Sequence, residues 1–503
     1  MAMATVLSRA QLGMQAPLVR VEADISPGLP RFTIVGLAEA AVKESRDRVR
    51  AAIVNSNLKM PDGRVTVNLS PADLPKEGGR YDLPIALGIL LASDQLPAES
   101  LRACEFYGEL SLGGEVQGMH GALLAAVAAT RHEHPMVIPC VNANEAALVS
   151  GCRFAVVSRL LQVVEHATGA QRLEFTIGSA PAISKRHEGD LAEVRGQESA
   201  KRALEVAAAG AHSLIFLGPP GTGKSMLAQR LPSLLPPLNE DEALEVAAVR
   251  SAAGMPIDTS QWRARPFRAP HHTASAVALV GGGSKPRPGE ISLAHRGVLF
   301  LDELPEYQRR VLEVLREPLE TGVITISRAA SQAEFPASFQ FIGAMNPCPC
   351  GYLGDPSGKC HCTSEQVQRY RARLSGPLID RLDLHVEVAR VPAEVLRADG
   401  VRMESSAEVS VRVARAREVQ HTRQGCVNAR LRSREIDRFC RPTARARQLL
   451  DRASTKLGFS ARAYHRVLKV ARTIADLAGA DQIDTAQVSE AMSLRKLDRS
   501  ESP

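Results

Sequence analysis

The chain has 503 residues, of which 45% are hydrophobic and 23% are charged, so it is long enough for about three domains with substantial cores. It contains 1 Trp, 6 Tyr and 12 Phe residues, too few for a nucleic-acid contact that rests mainly on base stacking. Its longest apolar run, residues 83–92, falls well short of the roughly 18 residues of a membrane span, and the N-terminus lacks a signal pattern. These features favour a cytoplasmic protein without a membrane partner.

The positive charge is concentrated near the C-terminus. The net charge is +7, and residues 410–447 contain eleven arginines against the acidic residues Glu418, Glu435 and Asp437. Such a basic stretch fits a polyanionic partner. It also fits the solvated face of helices in an arginine-rich protein, and the sequence alone leaves both interpretations open.

The pattern of hydrophobic residues divides the chain into three regions and a linker. The first region has alternating strands at Leu18–Ile25 and Arg64–Leu69 and a helical pattern over 38–55, as in an α+β or α/β module. The third region is helical and rich in Arg and Ala, whereas strand–loop–helix units of a parallel sheet precede it. The predicted boundaries are 1–170, a linker at 171–189, 190–391 and 392–503.

Two stretches of the first region resemble the Lon-type protease fold, of the ribosomal-protein-S5 second-domain type. Leu69–Pro84 is similar to the nucleophile region of those proteases, and Gly108–Val116 to the strands before their catalytic lysine. A Ser–Lys dyad needs both residues, yet Gly79 and Arg80 occupy the serine segment and no lysine occurs in 117–131. We therefore expect a Lon-like domain without peptidase activity that serves ring assembly or guides DNA.

A phosphate-binding loop follows the apolar strand Leu214–Leu217. The segment fits the pattern G-x-x-x-x-G-K-[ST] between a strand and a helix, the context in which this pattern binds nucleotides. Backbone N–H groups and the helix N-terminus would face the phosphates, the lysine would reach the β- and γ-phosphates, and the serine hydroxyl would ligate Mg²⁺. The predicted ATP-binding residues are Gly218, Pro219, Pro220, Gly221, Thr222, Gly223, Lys224 and Ser225.

Two further strands end in polar residues suited to ATP hydrolysis. Val298–Leu301 leads into Asp302, placed to hold Mg²⁺, and Glu303, placed to polarise the attacking water. The strand predicted at Phe339–Ala344 precedes Asn346, which could orient that water. Alone, an Asn at a strand end is usually a turn residue.

Four cysteines are clustered just after Asn346. Two C-x-C pairs separated by nine residues are suited to wrap one tetrahedral Zn²⁺ as a structural clip; the alternative is four reduced thiols in a tight loop. The predicted ligands are Cys348, Cys350, Cys360 and Cys362. By contrast, no partner spacing supports a metal at His271 and His272, which on a strand would point to opposite faces.

The order of these motifs resembles an AAA+ ATPase. The tracts Arg265–His272 and Gly289–Gly297 narrow the resemblance to the magnesium-chelatase-like branch, and within it to the ComM (YifB) group of bacterial competence helicases. This resemblance covers nearly the whole chain and implies a P-loop α/β core with a parallel sheet, followed by a helical lid.

The same resemblance assigns roles to individual residues. Lys224 and Ser225 become Walker A residues, Asp302 and Glu303 Walker B, and Asn346 sensor 1. Arg381 becomes an arginine finger that reaches the ATP of a neighbouring subunit, although a local ion pair with Asp380 or Asp383 is the alternative. Arg462 matches the sensor-2 position on the lid.

The family further implies a homo-hexameric ring with two insertions that project into its pore. One is the segment 266–273 with Arg268, and the other is the hairpin 323–335 with Arg328 near its tip. Both arginines are candidate DNA contacts, while an ordinary exposed hairpin charge is an equal alternative for Arg328.

The sequence therefore predicts an ATP- and Mg²⁺-dependent hexameric motor that acts on single-stranded or branched DNA as a helicase or in branch migration. It would support homologous recombination of incoming DNA in natural transformation, together with recombination proteins. One alternative is a magnesium-chelatase motor subunit, although the chain has no D-x-S-x-S metal site. Another is a protein-remodelling AAA+ ATPase.

Overall fold

The computed structural model describes residues 3–36, 40–181, 189–283, 286–327, 332–355, 358–392, 394–395, 402–495 and 497. The chain divides into two compact units. The first comprises Met1–Ser184, Glu240–Trp262 and Ser327–Phe335. The second comprises Lys185–Asn239, Arg263–Ile326 and Pro336–Pro503. Two segments from the later part of the sequence thus belong to the N-terminal unit.

The N-terminal unit is built on a mixed sheet. Its strands are Met3–Arg9 (β1), Leu18–Ser26 (β2), Arg31–Val35 (β3), Arg64–Ser70 (β4), Glu105–Phe106 (β5), Glu109–Leu110 (β6), Val116–Gln117 (β7), Met136–Pro139 (β8), Arg153–Val157 (β9) and Thr176–Ile177 (β10). Eight of them form one sheet in the order β10-β9-β8-β5-β1-β2-β4-β3, and β6 and β7 pair separately. The strands predicted at Leu18–Ile25 and Arg64–Leu69 are confirmed. β10 lies in the segment expected to be a linker and pairs with β9.

The helices of this unit pack against the sheet and against one another. They span Ala40–Asn55, Asp82–Ala92, Ala122–Arg131, Ala143–Ala147, Leu160–Thr168 and Glu240–Ala252. Every residue of Asp82–Ala92 is buried, and this helix packs across β1 and β2. The longest apolar run of the chain is therefore a core helix. None of the described helices combines the length and apolarity needed to cross a membrane.

The second unit contains a parallel sheet, as predicted. Its strands are Leu214–Leu217 (β11), Phe267–Arg268 (β12), Gly281–Gly282 (β13), Arg287–Pro288 (β14), Val298–Leu301 (β15), Val323–Ser327 (β16), Gln340–Met345 (β18) and Leu384–Glu387 (β19). The strand Gln332–Pro336 (β17) belongs almost entirely to the N-terminal unit. The five-stranded sheet has the order β12-β15-β18-β11-β19, while β13 pairs with β14. All four pairings in the large sheet are parallel, so the carboxyl ends of its strands meet at one edge.

Helices cover this sheet and form the C-terminal region. They span Glu198–Gly210, Lys224–Leu234, Ala276–Val280, Glu290–Leu293, Arg309–Glu313, Arg316–Thr321, Ser364–Arg371, Gly376–Ile379, Ser406–Gln424, Ser433–Phe439, Ala444–Leu457, Ala461–Leu477 and Thr485–Ser493. The core includes residues from the sheet and from the last helices, for example Phe216, Val386, Ala471 and Val488. The expected succession of an α/β core and a helical region is confirmed.

Candidate nucleotide and metal sites

The phosphate loop lies at the carboxyl end of β11, between β18 and β19. Gly221 has φ +76° and Gly223 has φ +90°, a region that side chains with a Cβ rarely adopt. The helix Lys224–Leu234 begins directly after Gly223. The loop therefore curls onto a helix N-terminus, the geometry that binds phosphate.

Lys224 is a buried cation, 8% exposed, at the floor of this loop. Its Nζ donates to the carbonyl oxygens of Gly218 at 2.7 Å and Pro219 at 2.8 Å, and to Oδ1 of Asn346 at 3.1 Å. Burial lowers the pKa of the ammonium, whereas the Asp302 and Glu303 carboxylates act in the opposite direction. The contacts of the Lys224 ammonium are to neutral oxygens, so its charge is available to bind a phosphate anion. The side chain of Asn346 lies beside this ammonium.

Ser225 and Asp302 lie close together, as expected of ligands to one Mg²⁺. The Ser225 hydroxyl donates to Oδ2 of Asp302 at 2.5 Å. The other carboxylate oxygen accepts the backbone N–H of Glu303 at 2.8 Å. A hydroxyl and a carboxylate oxygen are the hard donors that Mg²⁺ prefers, so this pair fits the ion.

Glu303 is paired with a histidine that the sequence did not connect to it. Nδ1 of His272 lies 3.1 Å from Oε2 of Glu303; the histidine side chain is 33% exposed and the glutamate 52%. The segment with His272 is anchored next to this site because the Tyr307 hydroxyl donates to the Pro270 carbonyl at 2.6 Å. The carboxylate expected to act on water is therefore engaged by a neighbouring side chain.

The two histidines do not adopt the predicted strand geometry. β12 ends at Arg268, and the rings of His271 and His272 lie beyond it with centroids 4.1 Å apart. The expectation that they point to opposite faces was wrong because the strand that would impose it is too short. His271 instead contacts the Thr273 hydroxyl at 2.9 Å.

Arg381, the predicted arginine finger, is 8% exposed. It forms an ion pair with Glu320 at 2.7 Å and donates to the Pro377 carbonyl at 2.7 Å. Among the described residues, neither Asp380 nor Asp383 provides the local ion pair that was the alternative. The role of Arg381 in a neighbouring active site stays a prediction.

Asp383 joins the sheet to the helix Ala461–Leu477. Its carboxylate forms an ion pair with Arg466 and accepts from the Ser213 backbone N–H at 3.1 Å, with His212 Nδ1 at 3.3 Å. Burial opposes ionisation of Asp383, but Arg466, His212 and Lys469 outweigh it and hold its pKa well below the usual range. Arg462, the predicted sensor-2 residue, is exposed one helical turn before Arg466.

The four clustered cysteines come together as one candidate metal site. The Sγ atoms of Cys348, Cys350, Cys360 and Cys362 all lie within 4.8 Å of one another. The pKa of Cys350 falls to about 6, chiefly because the Tyr352 backbone N–H donates to its sulfur. Four thiols at this spacing fit a tetrahedral Zn²⁺.

Of the two arginines predicted to contact DNA, the structure describes only Arg268. Arg268 is half-buried and forms two short hydrogen bonds to the Glu290 carboxylate, at 2.6 and 2.7 Å. Arg328 lies outside the described residues. A DNA contact remains a prediction for both.

In the N-terminal unit, Arg80 lies in the segment that resembles the nucleophile region of Lon-type proteases. This 9% exposed side chain donates to the His120 carbonyl at 2.7 Å and to Oε1 of Gln11 at 3.2 Å. A permanently charged guanidinium is not a nucleophile, and the absence of peptidase activity stays a prediction.

Family sequence models of magnesium-chelatase subunits match three parts of the chain. The model described as magnesium chelatase, subunit ChlI, matches residues 190–396. The subunit ChlI of Mg-chelatase model matches residues 21–142, and the ChlI C-terminal model matches residues 403–495.

Similar proteins occur in other bacteria. The chain is 51% identical to competence protein ComM of Haemophilus influenzae over 99% of this chain and 98% of that protein. It is 48% identical to the uncharacterized protein YifB of Escherichia coli over the same shares. The magnesium-chelatase 38 kDa subunit of Cereibacter sphaeroides is 28% identical over 40% of this chain and 58% of that subunit.

Proposed function

We propose that this chain, which belongs to the ComM/YifB family of magnesium-chelatase-like AAA+ proteins, is an ATP-driven DNA motor that acts as a ring. The observation that carries the proposal is the pairing of Lys224 with Asn346 and of Ser225 with Asp302. It is supported by the full-length similarity to a protein named for competence, the state that permits natural transformation. Helicase or branch-migration activity on incoming DNA is the function that these observations favour.

Each residue at this edge of the sheet has a separate role in the proposed hydrolysis of ATP. Lys224 and the N–H groups of the loop neutralise phosphate charge, while Ser225 and Asp302 would hold Mg²⁺. A Mg²⁺ ion held by them would supply further neutralisation of phosphate charge. Glu303, once released from His272, orients the attacking water and accepts its proton. Asn346 lies against Lys224 and is placed to position that water.

The ring is proposed because it would bring a cation from a neighbouring subunit to the transition state. Among the described residues, Arg381 contacts Glu320 and Pro377 but no residue of the phosphate loop. An arginine delivered by a neighbouring subunit stabilises developing charge, worth roughly 10³–10⁵ in rate where measured in GTPases. In the proposed homo-hexamer, Arg381 acts on the ATP of a neighbouring subunit and Arg462 acts from the helical lid. This arrangement explains why Arg381 does not contact the phosphate loop of its own chain and why Arg462 is exposed.

We also propose that the four cysteines bind one structural Zn²⁺. Cys348 follows Asn346 by two residues, so a metal here would hold the loop next to the ATP site. The ion would act as a clip and take no part in hydrolysis.

The decisive experiment compares unwinding and branch migration of labelled forks by the intact protein and by Lys224→Ala. We expect ATP-dependent strand displacement by the intact chain and none by the variant, since the variant cannot neutralise the phosphates. A matched control is Lys456→Ala, which removes an exposed lysine from the helix Ala444–Leu457. Intact protein that hydrolyses ATP yet moves no DNA would contradict the proposal. Stimulation of its ATPase by casein but not by DNA would favour the protein-remodelling alternative.

A further inference from the structure

The C-terminal helices enclose a pocket that no part of the ATP site uses. Its volume is about 410 Å³, and four arginines from three helices and a loop line it together with Phe439 and Asp481. These arginines are Arg423, Arg438, Arg441 and Arg472. Three of them belong to the basic stretch 410–447, for which the sequence left open whether it binds a polyanion.

Two of the arginines form a fixed floor. Arg423 forms an ion pair with Asp476 at 2.6 Å, and Arg472 donates from Nε to the same carboxylate at 2.9 Å. The remaining N–H groups of Arg472 donate to the carbonyls of Asp481 at 2.7 Å and Ala480 at 2.5 Å. The buried Asp476 carboxylate thus pairs with one half-buried and one buried guanidinium, and Asp481 also lines the pocket, so the charges of the floor are largely paired.

The other two arginines, Arg438 and Arg441, are exposed at the rim. The guanidinium of Arg438 lies over the Phe439 ring at 4.9 Å, a contact that leaves its N–H edge free. Arg441 donates from Nε to the Asp437 carbonyl at 2.7 Å and keeps its terminal N–H groups available. Neither has a carboxylate partner among the described residues. The pocket therefore presents two planar cations at its rim, above a floor in which the charges are paired.

We propose that this pocket binds the phosphodiester backbone of DNA, at a site separate from the pore insertions. Guanidinium forks match phosphate oxygens in geometry, and such contacts position a nucleic acid without reading its sequence. A polymer of negative charge fits because three further exposed arginines, Arg432, Arg434 and Arg445, flank Arg438 and Arg441 in the chain. The inference rests on the proposed DNA motor and adds to it a second place of contact.

The test measures DNA binding by the full-length protein with Arg438→Ala and Arg441→Ala combined. Fluorescence anisotropy with a labelled duplex and a labelled single strand is recorded over a series of salt concentrations. We expect a Kd about tenfold higher than that of the intact protein. The slope of log K against log salt should fall by about two, one for each lost phosphate contact. Unchanged circular dichroism and melting temperature establish that the variant is folded.

The matched control combines Arg452→Ala and Lys456→Ala, which removes two exposed charges from a neighbouring helix but none from the pocket. A smaller loss for the control than for the pocket variant supports the site. Equal losses would show that only general charge matters and would overturn it, as would unchanged binding by the pocket variant. Competition by polyglutamate as strong as that by DNA would assign the pocket to an acidic protein instead. Intact protein that binds no DNA at all would refute the proposed function itself.

Discussion

The contact between His272 and Glu303 leads to a prediction about the resting ATPase. We expect His272→Ala to raise the rate of ATP hydrolysis in the absence of DNA, because the Glu303 carboxylate would no longer be held away from the water it must activate. The two side chains lie 3.1 Å apart and are 33% and 52% exposed. A polar contact so open to solvent is worth only about 0.5–1 kcal/mol.

That energy sets the size of the effect. If it is the free energy that keeps Glu303 in its resting position, its loss raises the basal rate about two- to fivefold. The assay is steady-state phosphate release at saturating ATP, with the intact protein and the variant compared at equal concentration. Glu303→Gln in either background should lower the rate by about 10²–10⁴, since it removes the general base.

The neighbouring histidine provides the control. His271 has the same chemistry and bonds to Thr273 rather than to Glu303. His271→Ala should therefore change the basal rate less than His272→Ala does. A basal rate that is unchanged or reduced in His272→Ala, or raised equally in both variants, would refute the reasoning.

Three further predictions concern the ring, the metal and acid stability. Arg381→Ala should lower the ATPase of the assembled protein at least about 10³-fold if the arginine acts in trans, whereas Arg369→Ala, in an exposed ion pair, should leave it within about twofold; a fully active Arg381→Ala would contradict the ring mechanism. Metal analysis should find one zinc per chain, Cys350→Ser should lose it, and a chelator should lower the melting temperature; zinc-free protein with unchanged stability would argue for free thiols. Asp383→Asn should cost about 3–5 kcal/mol of unfolding free energy at pH 7 because it leaves Arg466 without its carboxylate partner. Chemical denaturation at several pH values tests the last prediction.

The sign of the acid effect follows from the lowered pKa of Asp383. Its folded-state pKa lies well below the usual range, so the unfolded chain takes up the proton first as the pH falls. The stabilisation is present above the unfolded pKa of about 3.9 and is lost progressively below it. The difference between intact protein and Asp383→Asn should therefore shrink below about pH 4. A difference that stays constant down to pH 2 would show that the ion pairs of Asp383 do not stabilise the fold.

Local patterns in the sequence were enough for the centre of the nucleotide site. A short apolar strand followed by glycines, a lysine and a serine predicts a loop on a helix N-terminus, and the described Leu214–Leu217 strand and Lys224–Leu234 helix have that arrangement. Asp302 and Asn346 follow other strands of the same sheet. Because parallel strands bring their carboxyl ends to one edge, the proximity of both residues to the phosphate loop could be expected without coordinates.

Contacts between residues far apart in the chain required the tertiary structure. Neither the pairing of Arg381 with Glu320 nor that of Asp383 with Arg466 has a local signal, since 61 and 83 positions separate the partners (381 − 320 and 466 − 383). The contact of His272 with Glu303 also required the tertiary structure. The strand β12 has only two residues, so it does not make the side chains of the following residues alternate between faces. The sequence does show that Arg466 lies one helical turn after Arg462 and on the same face, but it does not show which carboxylate Arg466 meets.

The sequence by itself determined the fold class and predicted the residues of the candidate nucleotide site, because periodicity, turn residues and short motifs act over a few residues. Only the tertiary structure decided which unit Glu240–Trp262 joins, which carboxylate each arginine meets, and that four arginines surround one pocket. These outcomes depend on how helices and strands pack, and packing is set by the shapes and charges of surfaces from distant parts of the chain. The basic stretch 410–447 is an example. Its charge can be counted in the sequence, but the fold determines which of its arginines pair with a carboxylate.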